Sequence, residues 1–165
     1  MENATNPQKK SYNHPDSIIE IRDIILETGH SKDALIEILK KIADRFGYIS
    51  NNAVQEISRQ TSIPAGDIFS VATFYRMLPT TQRGRHVIEV CESLPCHVVG
   101  GRELYRALVE QLGIKPGETS QDGRFTLLTT SCLGVCEVGP VLSIDTNIHG
   151  NLSAETLPEI LAKYE

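Results

Sequence analysis

Four cysteines put the tightest constraint on what this chain can fold into: Cys91, Cys96, Cys132 and Cys136. They form two close pairs, C-x4-C and C-x3-C, with a long stretch between them. For the pairs to share one site, the intervening chain must leave one edge of the fold and return to it. The start of the chain, MENATNPQKKSYNHPD, is polar and mixes acid with base. It has neither the apolar core of a signal peptide nor the Arg-rich, acid-poor look of a transit peptide. No apolar run reaches the length of a membrane span. We therefore expect a cytoplasmic protein with no direct membrane span. In a reducing compartment, paired cysteines bind metal or do redox work more often than they form structural disulfides. The formal charge of −5, with no basic stripe, argues against a nucleic-acid partner.

At 165 residues the chain fits one domain or two small ones, and the texture suggests two. Residues 1–14 read as a loose polar lead-in. Residues 15–80 read as a small helical bundle. Pro15-Asp16-Ser17 opens a first helix, with Ile18, Ile21 and Ile25 in step, and Gly29 is expected to stop it. Ser31 is expected to cap a second helix with Leu35, Ile38, Leu39, Ile42 and Phe46 on one face. A short third helix covers Ala53 to about Arg59, and Pro64 opens a fourth with Ile68, Val71, Ala72 and Tyr75 in step. Phe74 and Tyr75 are expected to pack into the core.

After Pro79 the pattern changes, and residues 81–165 read as a second domain. His86-Val-Ile-Glu-Val-Cys91 and Phe125-Thr-Leu-Leu-Thr-Thr130 alternate as strands. A helix carrying Leu104, Ala107, Leu108 and Leu112 lies between them and closes at Gly113. Val141–Ile144 reads as a third strand, IHGN as a turn, and a short fourth strand is expected after it. Ser153 is expected to cap a last helix with Leu157, Ile160, Leu161 and Tyr164. The order β-α-β-β-(β)-α places the fold among α+β or α/β sandwiches, with helices on a sheet.

If the first two strands are parallel neighbours, the loops after them leave the same sheet edge. The four sulfurs then meet at the strands' C-terminal ends, the usual place for a site. Four thiolates can hold zinc or a [2Fe–2S] cluster, and the spacing within the pairs does not decide between them. Gly134 and the Gly100-Gly101 step favour close backbone approach, which suits donation to cluster sulfur. The pattern is not that of a plant-type ferredoxin. It is not Rieske-like either, since only His97 sits near a cysteine, and His97 is expected to be a packing residue. His14, His30, His86 and His149 are expected on the surface or in turns. A thiol–disulfide exchanger would need C-x-x-C, which is absent. Glu92 and Glu137 are expected to point to water. No G-x-G-x-x-G follows a strand and no P-loop is present, so no nucleotide site is expected in this chain.

Asp122-Gly-Arg-Phe-Thr126, followed by Cys132-Leu-Gly-Val-Cys136-Glu-Val-Gly-Pro140, resembles the signature of the 24 kDa, or E-type, subunit family of NADH:quinone oxidoreductase (complex I). VCESLPCHVVGG at 90–101 is similar to that family's other cysteine motif, and FGYIS, IPAGDIFSVATFY and GRHVIEV look like further family segments. The likeness runs over about residues 31–165. It implies a thioredoxin-like [2Fe–2S] domain after a helical bundle, with Cys91, Cys96, Cys132 and Cys136 as ligands of one cluster. It implies an electron carrier, acting as a subunit of an NAD(P)H oxidoreductase rather than as a catalyst alone. The implied partners are the subunit that binds NAD(P)H and flavin (FMN) and further iron–sulfur subunits. Through them the chain would lie at the inner face of the membrane. The same family includes small subunits of NAD(P)-linked hydrogenases and formate dehydrogenases. A zinc-stabilised interaction module is the reading of a different class.

Overall fold

The computed structural model describes residues 17–164, and these divide into two compact units between Gln82 and Arg83. The polar lead-in at 1–14 lies outside the described residues, and His14 with it.

The first unit is four helices: α1 (Ile18–Thr28), α2 (Leu35–Phe46), α3 (Asn51–Thr61) and α4 (Ala65–Phe74). Each begins or ends for a local reason. Ser17 accepts from Glu20 N at the start of α1, and Ser50 from Ala53 N at the start of α3. Such caps satisfy backbone donors that the first turn leaves unpaired. Gly47 ends α2 at φ +83°, where a side chain would be strained. Ser31 departs from the expectation. It makes no side-chain cap, and a single 3-10 turn, Lys32–Ala34, intervenes before α2. The apolar stripes meet in one core, in which Ile21, Ile25, Ile38, Leu39, Ile42, Ile57 and Ile68 are fully buried. Each such side chain contributes about 1.5–3 kcal/mol by leaving water. Phe74 and Tyr75 correct the core-packing expectation, at 79% and 37% exposed. They sit where α4 ends, and Leu78 turns inward in their place.

Among the described residues of this unit, the buried charge is Glu56. Glu56, 2% exposed, accepts from Arg22 Nε and Arg59 Nη1, each at 2.6 Å, and from Gln60 Nε2 at 3.0 Å. The Arg22 bond, with Gln60 next, holds its carboxyl below the ordinary value of 4.5 despite burial. A lowered carboxyl pKa adds stability that is present above 4.5 and is lost as pH falls through the folded value. Both arginines reach water, which screens the pair. Glu56→Gln is therefore expected to cost only about 1–2 kcal/mol at neutral pH. In urea titrations the gap between variant and wild type should close as pH drops below 4.5.

The second unit is a four-stranded sheet with helices: β1 (His86–Cys91), α5 (Leu94–Val98), α6 (Gly101–Leu112), β2 (Phe125–Thr130), β3 (Leu142–Ile144), β4 (Asn147–His149) and α7 (Leu157–Leu161). Strand order is β2-β1-β3-β4. β1 and β2 are parallel, in register from His86↔Phe125 to Cys91↔Thr130. A parallel pair needs a crossover, which α6 supplies. Ile88, Leu104, Leu108, Leu127, Leu142, Ile144 and Leu157 form its core. The expected turn at IHGN is displaced. The chain reverses earlier, at Asp145 with φ +56°, and Ile148 and His149 belong to β4. Ser153 does not cap α7; instead its N–H donates to Thr156 Oγ1. Among the described residues no helix is long and apolar enough to cross a membrane.

Candidate metal centre

The parallel register brings the cysteines to one place. Cys91 is the last residue of β1 and stands opposite Thr130, the last residue of β2. Cys132 follows two residues later. Cys96 lies on α5, which starts directly after β1, and Cys136 opens a 3-10 turn, Cys136–Val138. Two backbone bonds tie the early loop to its neighbours: Glu92 N donates to Thr130 O at 2.9 Å, and Cys91 N to Val141 O at 3.2 Å.

Cys132 Sγ and Cys136 Sγ are 3.6 Å apart, close to the roughly 3.8 Å edge that a tetrahedral site with 2.3 Å metal–sulfur bonds requires. Cys91 Sγ donates to Ser131 O at 3.4 Å, one residue before Cys132, and Cys91 packs with Cys96 and Val141 in one buried cluster. Among the described residues no three His, Cys, Asp or Glu side chains are placed to hold a single ion. The arrangement is two thiols and two thiols. The inner pair is buried, Cys91 at 2% and Cys96 at 1% exposed, while Cys132 and Cys136 face water.

Burial, with the Cys91 thiol beside it, pushes the Cys96 thiol up to about 11. Cys136 is raised because Cys132 lies next to it. Cys132 is held below the ordinary thiol range, first by the Gly134 N–H, which donates to its sulfur at 3.3 Å. Gly134 can do this because it sits at φ +82°. Four thiols this close cannot all ionise unless positive charge is placed among them. The donor set therefore fits a thiolate-bound metal group.

Close packing holds the loops. A Cβ at Gly101 would lie 2.7 Å from Cys96 O, so α6 rests on the backbone of the Cys96 turn. A Cβ at Gly150 would lie 2.7 Å from Val138 Cγ2, so the strand-end loop presses on the Cys136 turn. Asn151 N donates to Val138 O at 2.5 Å. Val141, with Leu133, Val135 and Val138 packed against it, lines the cysteines with apolar surface.

The cysteines singled out in the sequence thus lie as two pairs at the C-terminal ends of β1 and β2. Glu92 and Glu137 are exposed, and His97 is half-buried. Two histidines differ from expectation. His86 Nδ1 lies 2.8 Å from Asp145 Oδ2, and His149 Nε2 lies 2.8 Å from Tyr164 Oη. Both are half-buried; His86 opens β1 at the end of the sheet away from the cysteines, and His149 lies on the edge strand β4 opposite Leu142. His30 is 3.2 Å from Gln60 O in the helical unit. Sequence reasoning passed over Ser93 and Ser131, which join the two cysteine loops through a bond from Ser93 Oγ to Ser131 O. A serine just before a five-residue helix was the available signal.

The family model for thioredoxin-like [2Fe-2S] ferredoxin matches residues 21–165. The E-type subunit of NADH-quinone oxidoreductase from Salmonella typhimurium is 40% identical, with 100% of both chains covered. Its counterpart from Pseudomonas aeruginosa is 38% identical, over 84% of this chain and 85% of that one. Among solved structures, NAD+-reducing [NiFe]-hydrogenase in the H2-reduced state shares the fold, with a TM-score of 0.67 and 24% identity. That likeness covers 82% of this chain and only 22% of the hydrogenase chain. Two convergent thiol pairs, a matched profile across both units and full-length relatives lead to one assignment: the chain belongs to the thioredoxin-like [2Fe–2S] ferredoxin family.

Proposed function

We propose that Cys91, Cys96, Cys132 and Cys136 ligate one [2Fe–2S] cluster, and that the chain is the electron-transfer subunit of an NADH:quinone oxidoreductase. The observation that carries this is the parallel β1/β2 register, which sets two thiol pairs at one sheet edge in a chain matched end to end by relatives from that complex. Bound there, the cluster supplies one-electron acceptance and release, the complement of hydride transfer at a flavin. The chain's own residues do the rest. The cysteines bind as thiolates, the Gly134 N–H donates to a ligand sulfur, and the valines keep water from the inner side.

The partner is the subunit that binds NADH and flavin, with further iron–sulfur subunits beyond it. Phe69, Phe74 and Met77 support docking by the helical unit, because three large apolar side chains stand in water there, at 45%, 79% and 64% exposed. Through this assembly the chain sits at the inner face of the membrane without entering it. The fold shared with an NAD+-reducing hydrogenase supports a second reading, as the equivalent small subunit of a soluble NAD(P)-linked hydrogenase or formate dehydrogenase. Identifying what co-purifies with the native chain separates the two.

Purification without oxygen tests the cluster. The expected product is a coloured protein with two irons and two sulfides per chain and a paramagnetic signal on reduction. A colourless protein with stoichiometric zinc would instead establish the interaction-module reading.

A further inference from the structure

Ser93 immediately precedes α5 with extended backbone, where a serine ordinarily accepts a hydrogen bond from the first turn. It makes no such bond. Its hydroxyl points away from its own helix and donates to Ser131 O, 38 residues along the chain. That acceptor belongs to the late cysteine loop, so the tie runs between the two loops. Ser131 O also accepts from the Cys91 thiol at 3.4 Å. A metal-bound sulfur carries no proton, so in a loaded chain Ser93 is the donor left on that carbonyl. Ser131, Cys132, Gly134 and Cys136 are exposed, while Leu133, Val135 and Val138 anchor the loop inward further on, so at Ser131 the tie to the early loop is the Ser93 bond.

We propose that the Ser93 hydroxyl is a positioning group that latches the Cys132 loop onto the Cys91–Cys96 loop and so governs how firmly the cluster is kept and how readily it is reduced. This rests on the four-cysteine ligand reading above. The latched loop also carries the Gly134 N–H that donates to the Cys132 sulfur; a donor on a ligand sulfur favours the more negative, reduced state, so loosening the loop lowers the midpoint potential. Loss of one hydrogen bond also lets the loop open more often, by about fivefold. The side chain is half-buried and caps nothing, so the fold does not depend on it.

The test uses the full-length chain, loaded without oxygen with ferrous iron and sulfide, as wild type, Ser93→Ala, Ser93→Gly and Ser93→Thr. Two quantities are read: decay of the visible absorbance under excess iron chelator, and the midpoint potential. The Ala and Gly variants are expected to decay about fivefold faster and to shift to a more negative midpoint. Threonine, which keeps the hydroxyl, is expected to restore both. Thermal melts of the cluster-free chains should coincide, which sets a latch apart from a folding defect. An Ala variant matching wild type in decay and midpoint, or a Thr variant as impaired as Ala, overturns the latch while leaving the ligand reading intact. A wild-type chain that never gains iron–sulfur absorbance overturns the ligand reading, and the latch with it.

Discussion

Serine in place of Cys96 will leave the purified chain colourless and without its reduced-state paramagnetic signal. The substitution removes one sulfur atom and little else, so the expected loss comes from ligand chemistry. A serine hydroxyl does not ionise near neutral pH, and its oxygen is a harder donor on a shorter bond than sulfur. Backbone movement could make up the missing reach, but Cys96 has no room for it. It is 1% exposed, and α6 rests on its carbonyl at Gly101. Outer-shell changes at metal sites already cost about 10–100-fold in affinity, and loss of an inner ligand costs at least the upper end of that range. Cys91 is walled in alike, at 2% exposed, and its serine variant should be as severe. Cys132 and Cys136 lie on the exposed loop with Gly134 between them, where the backbone can adjust. Their serine variants should retain a weak, shifted signal and a fraction of the iron. Iron and sulfide assays on the four proteins, purified side by side without oxygen, check the series. An unchanged signal in any one of them removes that residue from the ligand set.

Much of this site was legible because strand periodicity and thiol spacing are both local signals. His86–Cys91 and Phe125–Thr130 alternate with period two, and the helical stripe of α6 between them implies a crossover. Parallel pairing then follows, and with it the meeting of the two cysteine loops. The parts that were missed have no period. α5 is five residues long, shorter than any window in which helical spacing can be read. Phe74 and Tyr75 continue the α4 stripe in sequence, yet the helix ends beneath them and they swing outward. β4 was displaced because Asp145, not a glycine, takes the left-handed turn, and its carboxylate holds Val87 N and His86 from the neighbouring strand. That contact spans almost sixty residues and leaves no trace in local pattern. Ser93 was hidden for the same reason, since its partner lies on the other loop.

Charging the chain where α4 ends, at Phe74 and Met77, is expected to weaken binding to the flavin-bearing partner proposed above while leaving the cysteine site unchanged. Phe74, the last residue of α4, and Met77 beyond it are 79% and 64% exposed, and Phe69, five residues earlier on the helix, is 45% exposed. Side chains this exposed add little to their own unit beyond the edge-to-face contact of Phe74 with Tyr75, so replacing Phe74 and Met77 with aspartate should shift folding free energy by no more than about 1.5 kcal/mol. At an interface the same residues become anchors. Truncation of a central aromatic commonly costs about 2–4 kcal/mol, and a buried unpaired carboxylate costs more. The double variant should therefore bind the NADH- and flavin-binding subunit at least about a hundredfold more weakly. The cysteines belong to the other compact unit, so iron content, absorbance and midpoint potential should match wild type. Pull-down with the partner and titration of the two proteins measure the first effect, and spectroscopy of the isolated chain measures the second. Wild-type affinity in the double variant would move the docking role off the helical unit and onto the apolar rim beside the cysteines, where Leu94 and Val98 stand 75% and 77% exposed.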